Sequence, residues 1–268
     1  MSIRDKFWMW GYTMEHGGMA LPFAPAEASY CSLENAADYF GMPNVIFMNT
    51  MHSFDRVEEN LAFLKHSGKI ICGLPHGEEN ALFGAERISE LSEKFPNIHG
   101  IVLDDFLQLS GHSTTPELVR RIREKLHTVN PRLEIYVVMY SDMNHLELSP
   151  YLELIDGIIL WRWISTEHFW RAEFGPLLHR TKVHYQKKLF HGIYLQNYGE
   201  YSSSAHPIDF ELWKLQWMRV LTELRSPYAF LDGCVLLQNA WVDNPEFRDH
   251  VIWLKETLEW FFHTATER

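Results

Sequence analysis

The sequence predicts a (β/α)8 barrel, with residues 1–268 forming a single domain. Eight short apolar runs recur about every 32 residues, the length of one βα unit. Most of these runs lack strict apolar–polar alternation, as parallel strands buried on both faces do. The segments between them carry apolar residues at helical spacing, with helix start and stop signals. Apolar residues make up 46% of the chain, enough for one large core.

The elements follow in order. FWMWGYT at 7–13 is the first strand, and Ser32 opens a short helix that stops at Gly41. VIFMNT at 45–50 is the second strand. Val57, Leu61 and Leu64 mark the next helix, ended by Gly68. KIICGLPH at 69–76 precedes a stripe of Ile88, Leu91 and Phe95, ended by Pro96. HGIVLDDF at 99–106 is the fourth strand. Thr115-Pro116-Glu117 then combines a cap, an N1 proline and an acidic first turn. Val119, Ile122, Leu126 and Val129 continue that helix until Asn130-Pro131. EIYVVMYS at 134–141 is followed by a shorter helix at about 144–154 and by DGIILWRW at 156–163. FHGIYLQNY at 190–198 leads to a helix marked by Phe210, Trp213, Trp217, Val220 and Leu224. DGCVLLQNAW at 232–241 is the eighth strand. Asn244-Pro245-Glu246 opens the last helix, striped by Phe247, Val251, Leu254, Leu258 and Phe261. An open doubly wound sheet is the alternative. It usually carries a Gly-rich first turn, and neither G-x-G-x-x-G nor G-x-x-x-x-G-K-[ST] occurs.

Lys plus Arg is 24 and Asp plus Glu is 35, a formal charge of −11. That balance argues against nucleic acid or an anionic membrane as partner, since both reward a basic face. Cys31, Cys72 and Cys234 provide no disulfide framework and no CxxC pair. The N-terminal apolar run breaks at Gly11-Tyr12, and no stretch approaches the roughly 18 apolar residues of a membrane span. The expectation is a cytoplasmic protein of unknown oligomeric state, with no cofactor.

In a (β/α)8 barrel the active site forms at the C-terminal strand ends. Those ends carry Trp10, Tyr12 and Glu15; Asn49; His76; Asp104 and Asp105; Tyr140 and Asp142; Trp161 and Trp163; Gln196, Asn197 and Tyr198; and Gln238, Asn239 and Trp241. Carboxylates, amides and aromatic rings converge there, with Arg162 the lone cation. A pyranose has an apolar face that flat rings cover and a hydroxyl rim that amides and carboxylates bind. Five tryptophans (8, 10, 161, 163 and 241) fall in or just after strands, and Trp161 and Trp163 point the same way along theirs.

The sharpest local signal is Ile101-Val102-Leu103-Asp104-Asp105-Phe106. Three apolar residues run into two acids where the strand should end. Burial and mutual repulsion push one carboxyl of such a pair upward, which yields an acid and a base near neutrality. Both reach a substrate only if the chain is already bending. The bland alternative is that one aspartate caps the loop or pairs with Arg162.

This apolar-run–Asp-Asp pattern resembles the aspartate pair of the β-N-acetylglucosaminidases of glycoside hydrolase family 84, and families 18 and 20 also place their acid there. The resemblance implies Asp105 as general acid and Asp104 as the carboxylate that orients and polarises the sugar's acetamido group. The longer D-x-x-D-x-D-x-E run of family 18 is absent, since Val102 and Phe106 occupy two of its acid positions. In a two-carboxylate mechanism a second acid comes from Glu15, Glu78, Asp142 or Glu200, with Asp142 favoured.

Two other classes compete. A metal-dependent sugar isomerase or lyase would use His16, His52 and His76 with Asp104 or Glu78. A barrel that binds sugar without cleaving it would keep the rings and amides and lose the acids. The paired aspartates favour catalysis, as a glycoside hydrolase acting on a small carbohydrate.

Overall fold

The computed structural model describes residues 2–13, 31–107, 114–143, 148–197 and 206–265. Its centre is a closed parallel barrel with the strands in sequence order. They are β1 (Phe7–Gly11), β2 (Asn44–Phe47), β3 (Ile70–Gly73), β4 (Ile98–Leu103), β5 (Glu134–Tyr140), β6 (Gly157–Trp161), β7 (Lys188–Tyr194) and β8 (Gly233–Leu237). Pairing of β1 with β8 closes the ring, with Phe7 opposite Cys234 and Trp10 opposite Leu237. The fold is the expected (β/α)8 barrel.

Several strands stop earlier than their apolar runs suggest. The polar tails Asn49-Thr50, Pro75-His76 and Asp104-Asp105 leave the ladder and enter the loops. Asn49-Thr50 in fact begins a helical turn, α1 being Leu33–Phe40 and α2 Asn49–His52. The remaining helices are α3 (Val57–Phe63), α4 (Glu78–Lys94), α5 (Pro116–Leu126), α6 (Phe174–Tyr185), α7 (Phe210–Arg225) and α8 (Arg248–Ala265). Ser32 caps α1 and Thr115 caps α5 as their sequences predict. The helix expected at about 144–154 is instead a 3-10 turn at Ser149–Leu154, where Pro150 lacks the amide that a longer α-helix would use. Residues 144–147 lie outside the described set.

Two apolar layers follow from strand parity. Outward residues pack under the helices, in the layer that includes Val45, Ile101, Val137 and Leu236. Inward residues fill the barrel, and many are rings: Trp8, Trp10, Tyr136, Tyr140, Trp161, Phe190 and Tyr194. Such rings fit because their neighbours include inward glycines. A Cβ on Gly157 would lie 2.5 Å from the Tyr136 ring, and one on Gly192 would lie 2.2 Å from Trp161.

The N-terminal end of the barrel is closed by charge. Glu134 Oε2 accepts the Tyr136 hydroxyl at 2.6 Å and Lys188 Nζ at 2.6 Å, and lies 3.1 Å from His99 Nε2. Burial opposes the Glu134 charge, but hydrogen bonds from His99, Lys188 and Tyr136 outweigh it and hold the carboxyl down to about 2.

The run at 190–198 places His191 near the start of its strand. It lies mid-strand, because β7 begins at Lys188, and it faces the helix layer between Trp170 and Phe174 at ring-centroid distances of 5.2 and 4.9 Å. Burial without a hydrogen-bond partner among the described residues pulls its imidazole down to about 3. The unfolded chain takes up a proton below about pH 6.5 that the folded chain refuses until about pH 3. His191 therefore costs stability as pH falls through that window, by up to about 1.4 kcal/mol per unit. Denaturant midpoints of wild type and His191→Leu should diverge progressively below pH 6.5. Parallel curves would show that the imidazole charges freely in place.

Candidate active site at the C-terminal barrel mouth

Beyond Leu103 the chain turns at once, through 104–107. Asp105 adopts a left-handed conformation at φ 46° and Leu107 at φ 63°. Aspartate is among the few side chains that accept this region readily. The bend matters for chemistry. Along an ideal strand Asp104 and Asp105 would face opposite ways. Here Asp104 Oδ1 accepts the Asp105 amide at 3.0 Å, and Asp105 Oδ1 accepts the Tyr140 hydroxyl at 2.8 Å. Tyr140 is an inward residue of β5, so Asp105 is turned toward the barrel axis.

The electrostatics separate the two acids. Burial, and then the negative charge of Asp105, push Asp104 up to about 7, against a smaller opposing pull from the Asp105 amide. Burial also raises the Tyr140 phenol, helped by Tyr194, Asp104 and Asp105, so it stays a neutral donor. Arg162 does not pair with either acid. Its Nη1 donates to Ser141 Oγ at 3.2 Å and its guanidinium lies 4.7 Å from the Phe169 ring centroid.

Aromatic side chains form a continuous wall beside the pair. Trp161 lies 4.7 Å from Tyr194 and meets Trp10 edge-on at 5.7 Å. Trp163 meets Tyr140 edge-on at 5.9 Å and Tyr194 at 6.0 Å. Trp161 is buried, whereas Trp163 is 38% exposed and forms the open end of the wall. Tyr194 joins the indole that ends β6 to that of Trp163 in the turn beyond it, and is not among the expected site residues. The available signal is parity, since Tyr194 stands two positions before Gln196 in the same apolar run, 190–198.

Several expected substrate ligands are engaged elsewhere. Asn49 Oδ1 accepts the Thr13 amide at 3.0 Å, and its Nδ2 donates to Thr13 Oγ1 at 2.9 Å. Asn239 Oδ1 accepts the Tyr12 amide at 3.0 Å, while its Nδ2 donates to the Tyr12 and Cys31 carbonyls at 2.9 and 2.7 Å. Both amides thus brace the chain leaving β1. Gly11 allows this close approach, because a Cβ there would lie 1.7 Å from Asn239 Oδ1. Trp241 is fully buried and stacks on Phe247 at 5.4 Å, in the outer layer and away from the mouth.

Tyr12 belongs to the inner cluster, and its hydroxyl lies 3.0 Å from His52 Nε2. Gln238 is buried at the end of β8, beyond a cis Leu237–Gln238 peptide, and its Nε2 has no partner among the described residues. Gln196 is buried beside Pro207, to which it forms a bridge, and the Asn197 amide donates to the His206 carbonyl at 2.9 Å. Asp142 is exposed, in the 3-10 turn Ser141–Met143 after β5. Glu15, His16, Tyr198 and Glu200 lie outside the described residues. Among the described residues no group of three or more His, Cys, Asp and Glu is placed to hold a metal ion, and no helix is long and apolar enough to cross a membrane.

His76 belongs to a second feature, a cavity of about 180 Å³ between the ends of β3 and β4 and the start of α4 and α5. Asp104 forms part of its wall.

No family model matches the chain, and no curated protein matches it. Solved structures do. A protein assigned as an α-L-fucosidase from Bacteroides thetaiotaomicron aligns at TM-score 0.61 and 12% identity, over 95% of this chain and 92% of its own. A family 113 β-mannanase from Alicyclobacillus acidocaldarius aligns at 0.58 and 11%, over 98% of both chains. A xylanase–α-amylase inhibitor protein, crystallised with trehalose, aligns at 0.55 and 12%, over 91% of this chain and 97% of its own. By fold, then, this chain resembles TIM-barrel glycoside hydrolases, at identities that speak to architecture alone.

Proposed function

We propose that the protein is a glycoside hydrolase whose chemistry is carried by Asp104 and Asp105. The observation that carries this reading is the unequal pair itself. One carboxyl is pushed up to about 7, beside a second that accepts the Tyr140 hydroxyl at 2.8 Å. Glycosidic cleavage needs a group that is protonated near neutrality and aimed at the leaving oxygen.

The environment favours Asp104 as the acid and Asp105 as the charged partner, the reverse of the roles implied by the family resemblance. Asp104 gives its proton to the glycosidic oxygen. The anomeric C–O bond breaks and its electron pair leaves with that oxygen. Water supplies a hydroxyl to the anomeric carbon and returns a proton to the pair. Asp105, held by Tyr140, stabilises the positive charge that develops on the ring. The partly exposed ring of Trp163 covers an apolar sugar face, held in place by the buried rings of Tyr194 and Trp161 behind it.

A panel of chromogenic glycosides, N-acetylhexosaminides included, tests this reading with Asp104→Asn and Asp105→Asn as controls. Turnover by wild type and its loss in both variants supports it. Equal turnover by all three proteins overturns it. A barrel that only binds sugar, the second reading, would bind a glycoside of the panel and release no product.

Tyr140→Phe keeps the ring that packs on Trp163 and deletes the donor to Asp105. A hydrogen bond to a charged group contributes about 1.5–3 kcal/mol. The expected result is a fall in kcat of about 10- to 100-fold with KM changed by less than about threefold, measured by steady-state kinetics. A pure KM effect would make Tyr140 a substrate contact instead.

A further inference from the structure

The cavity beside Asp104 has a mixed lining with a definite order. Leu74, Leu103, Phe106, Leu118 and Ile122 form apolar walls. Phe106 is braced edge-on by Tyr151 at 5.1 Å, and the Tyr151 hydroxyl donates to the Thr114 carbonyl at 2.6 Å. Polar groups sit at Asp104, His76, Glu78 and Thr114. The volume of about 180 Å³ is that of a compact group, since an apolar void of roughly 150 Å³ holds a benzene ring.

Position and chemistry together restrict the occupant. A general acid stands on the leaving-group side of the bond it cleaves, so space next to Asp104 belongs to the aglycone. A second sugar ring would bring several hydroxyls against five apolar side chains, at about 1–3 kcal/mol for each one left unpaired. An anionic group would lose its solvation against the apolar walls with no Lys or Arg among the described lining residues, and the neighbouring Arg121 is paired with Glu78. A neutral aryl or short alkyl group satisfies the walls and leaves its oxygen at Asp104.

From this juxtaposition we infer that the cavity is an aglycone site, and that the substrates are glycosides of small neutral aryl or alkyl alcohols. The inference rests on the glycoside hydrolase reading and on Asp104 as the acid.

Two measurements separate the layers of the claim. Benzyl alcohol binding is followed by saturation-transfer NMR, without turnover. Hydrolysis is compared for a phenyl glycoside and for the fluoride of the same sugar, whose leaving group has no body to fill the cavity. Leu118→Trp fills the space from its partly exposed rim, and Ala81→Leu fills it from α4. Wild type should bind benzyl alcohol and both variants should lose it. Their kcat/KM for the phenyl glycoside should fall at least about tenfold, with the fluoride within about twofold of wild type. Should Leu118→Trp fail to fold, Ala81→Leu and a thermal melt carry the test alone. Fluoride cleavage without benzyl alcohol binding, or equal losses on both substrates, overturns the aglycone site and spares the hydrolase reading. Benzyl alcohol binding with no cleavage of any glycoside or fluoride sinks the hydrolase reading and the aglycone assignment with it.

Discussion

Asp104→Asn should lower turnover of glycosides with poor leaving groups by at least about a hundredfold, the contribution expected of a general acid. The loss should shrink for dinitrophenyl leaving groups, which depart without a proton. Asp105→Asn should lose activity on both kinds, because the charge it supplies is needed whatever leaves. In wild type the rate should hold below about pH 7 and fall tenfold per unit above it, as Asp104 loses its proton. The same substitution has an opposite effect on stability. In the unfolded chain this carboxyl loses its proton near 3.8, whereas in the folded chain it keeps it up to about 7. Between those values the folded state binds the extra proton. The stability that Asp104 contributes at low pH therefore declines as pH rises toward 7, and above it the fold carries a half-buried charge next to the Asp105 carboxyl. Asparagine removes that charge. Thermal melts at pH 8 should show Asp104→Asn more stable than wild type by on the order of 1–3 kcal/mol. A variant that is inactive and also less stable at pH 8 would mark Asp104 as a structural residue.

The barrel was legible because its strands are apolar on both faces, so each stands out as a run between polar helices. Their C-terminal ends were not, because the residues that leave the sheet are polar whether they bind a ligand or the backbone. Asn49 and Asn239 illustrate this. They have the composition of sugar ligands, yet their partners are the amides and carbonyls of Tyr12, Thr13 and Cys31, which sequence does not bring together. Trp241 was misplaced for a related reason. The chain after β8 turns through the 3-10 segment Asn239–Trp241, which carries the indole onto Phe247 and out of the mouth. The Asp-Asp signal located the bend of β4 but not its consequence. The left-handed Asp105 decides which carboxyl meets Tyr140, and aspartate announces that conformation less plainly than glycine would. Tyr194 was hidden inside an apolar strand, where a ring reads as core.

Gly192→Ala should be the most damaging single methyl addition to the aromatic wall. Gly192 is paired with Trp161 in the β6–β7 register, and the Trp161 ring lies across it. A Cβ would stand 2.2 Å from ring atom Cε3 and 2.3 Å from Cδ2 and Cζ3. All three belong to a rigid indole, so no rotation of a side-chain tip relieves the overlap. The ring has little room elsewhere, with Tyr194 at 4.7 Å on one side and Trp10 edge-on at 5.7 Å on another. Overpacking of this kind costs about 1–3 kcal/mol, and a clash with a fully buried ring belongs at the upper end. The displaced Trp161 would push Tyr194, and through it Trp163, so the sugar platform should be lost along with stability. The expected observations are a lower urea midpoint, a changed near-ultraviolet dichroism signal and a KM raised at least about tenfold for any glycoside that is cleaved. Trp161→Ala removes every ring atom that overlaps, so adding Gly192→Ala in that background should lower the midpoint no further, while KM stays raised. Wild-type stability in the single variant would mean that Trp161 does not lie over β7, and the wall described at the mouth would have to be rebuilt.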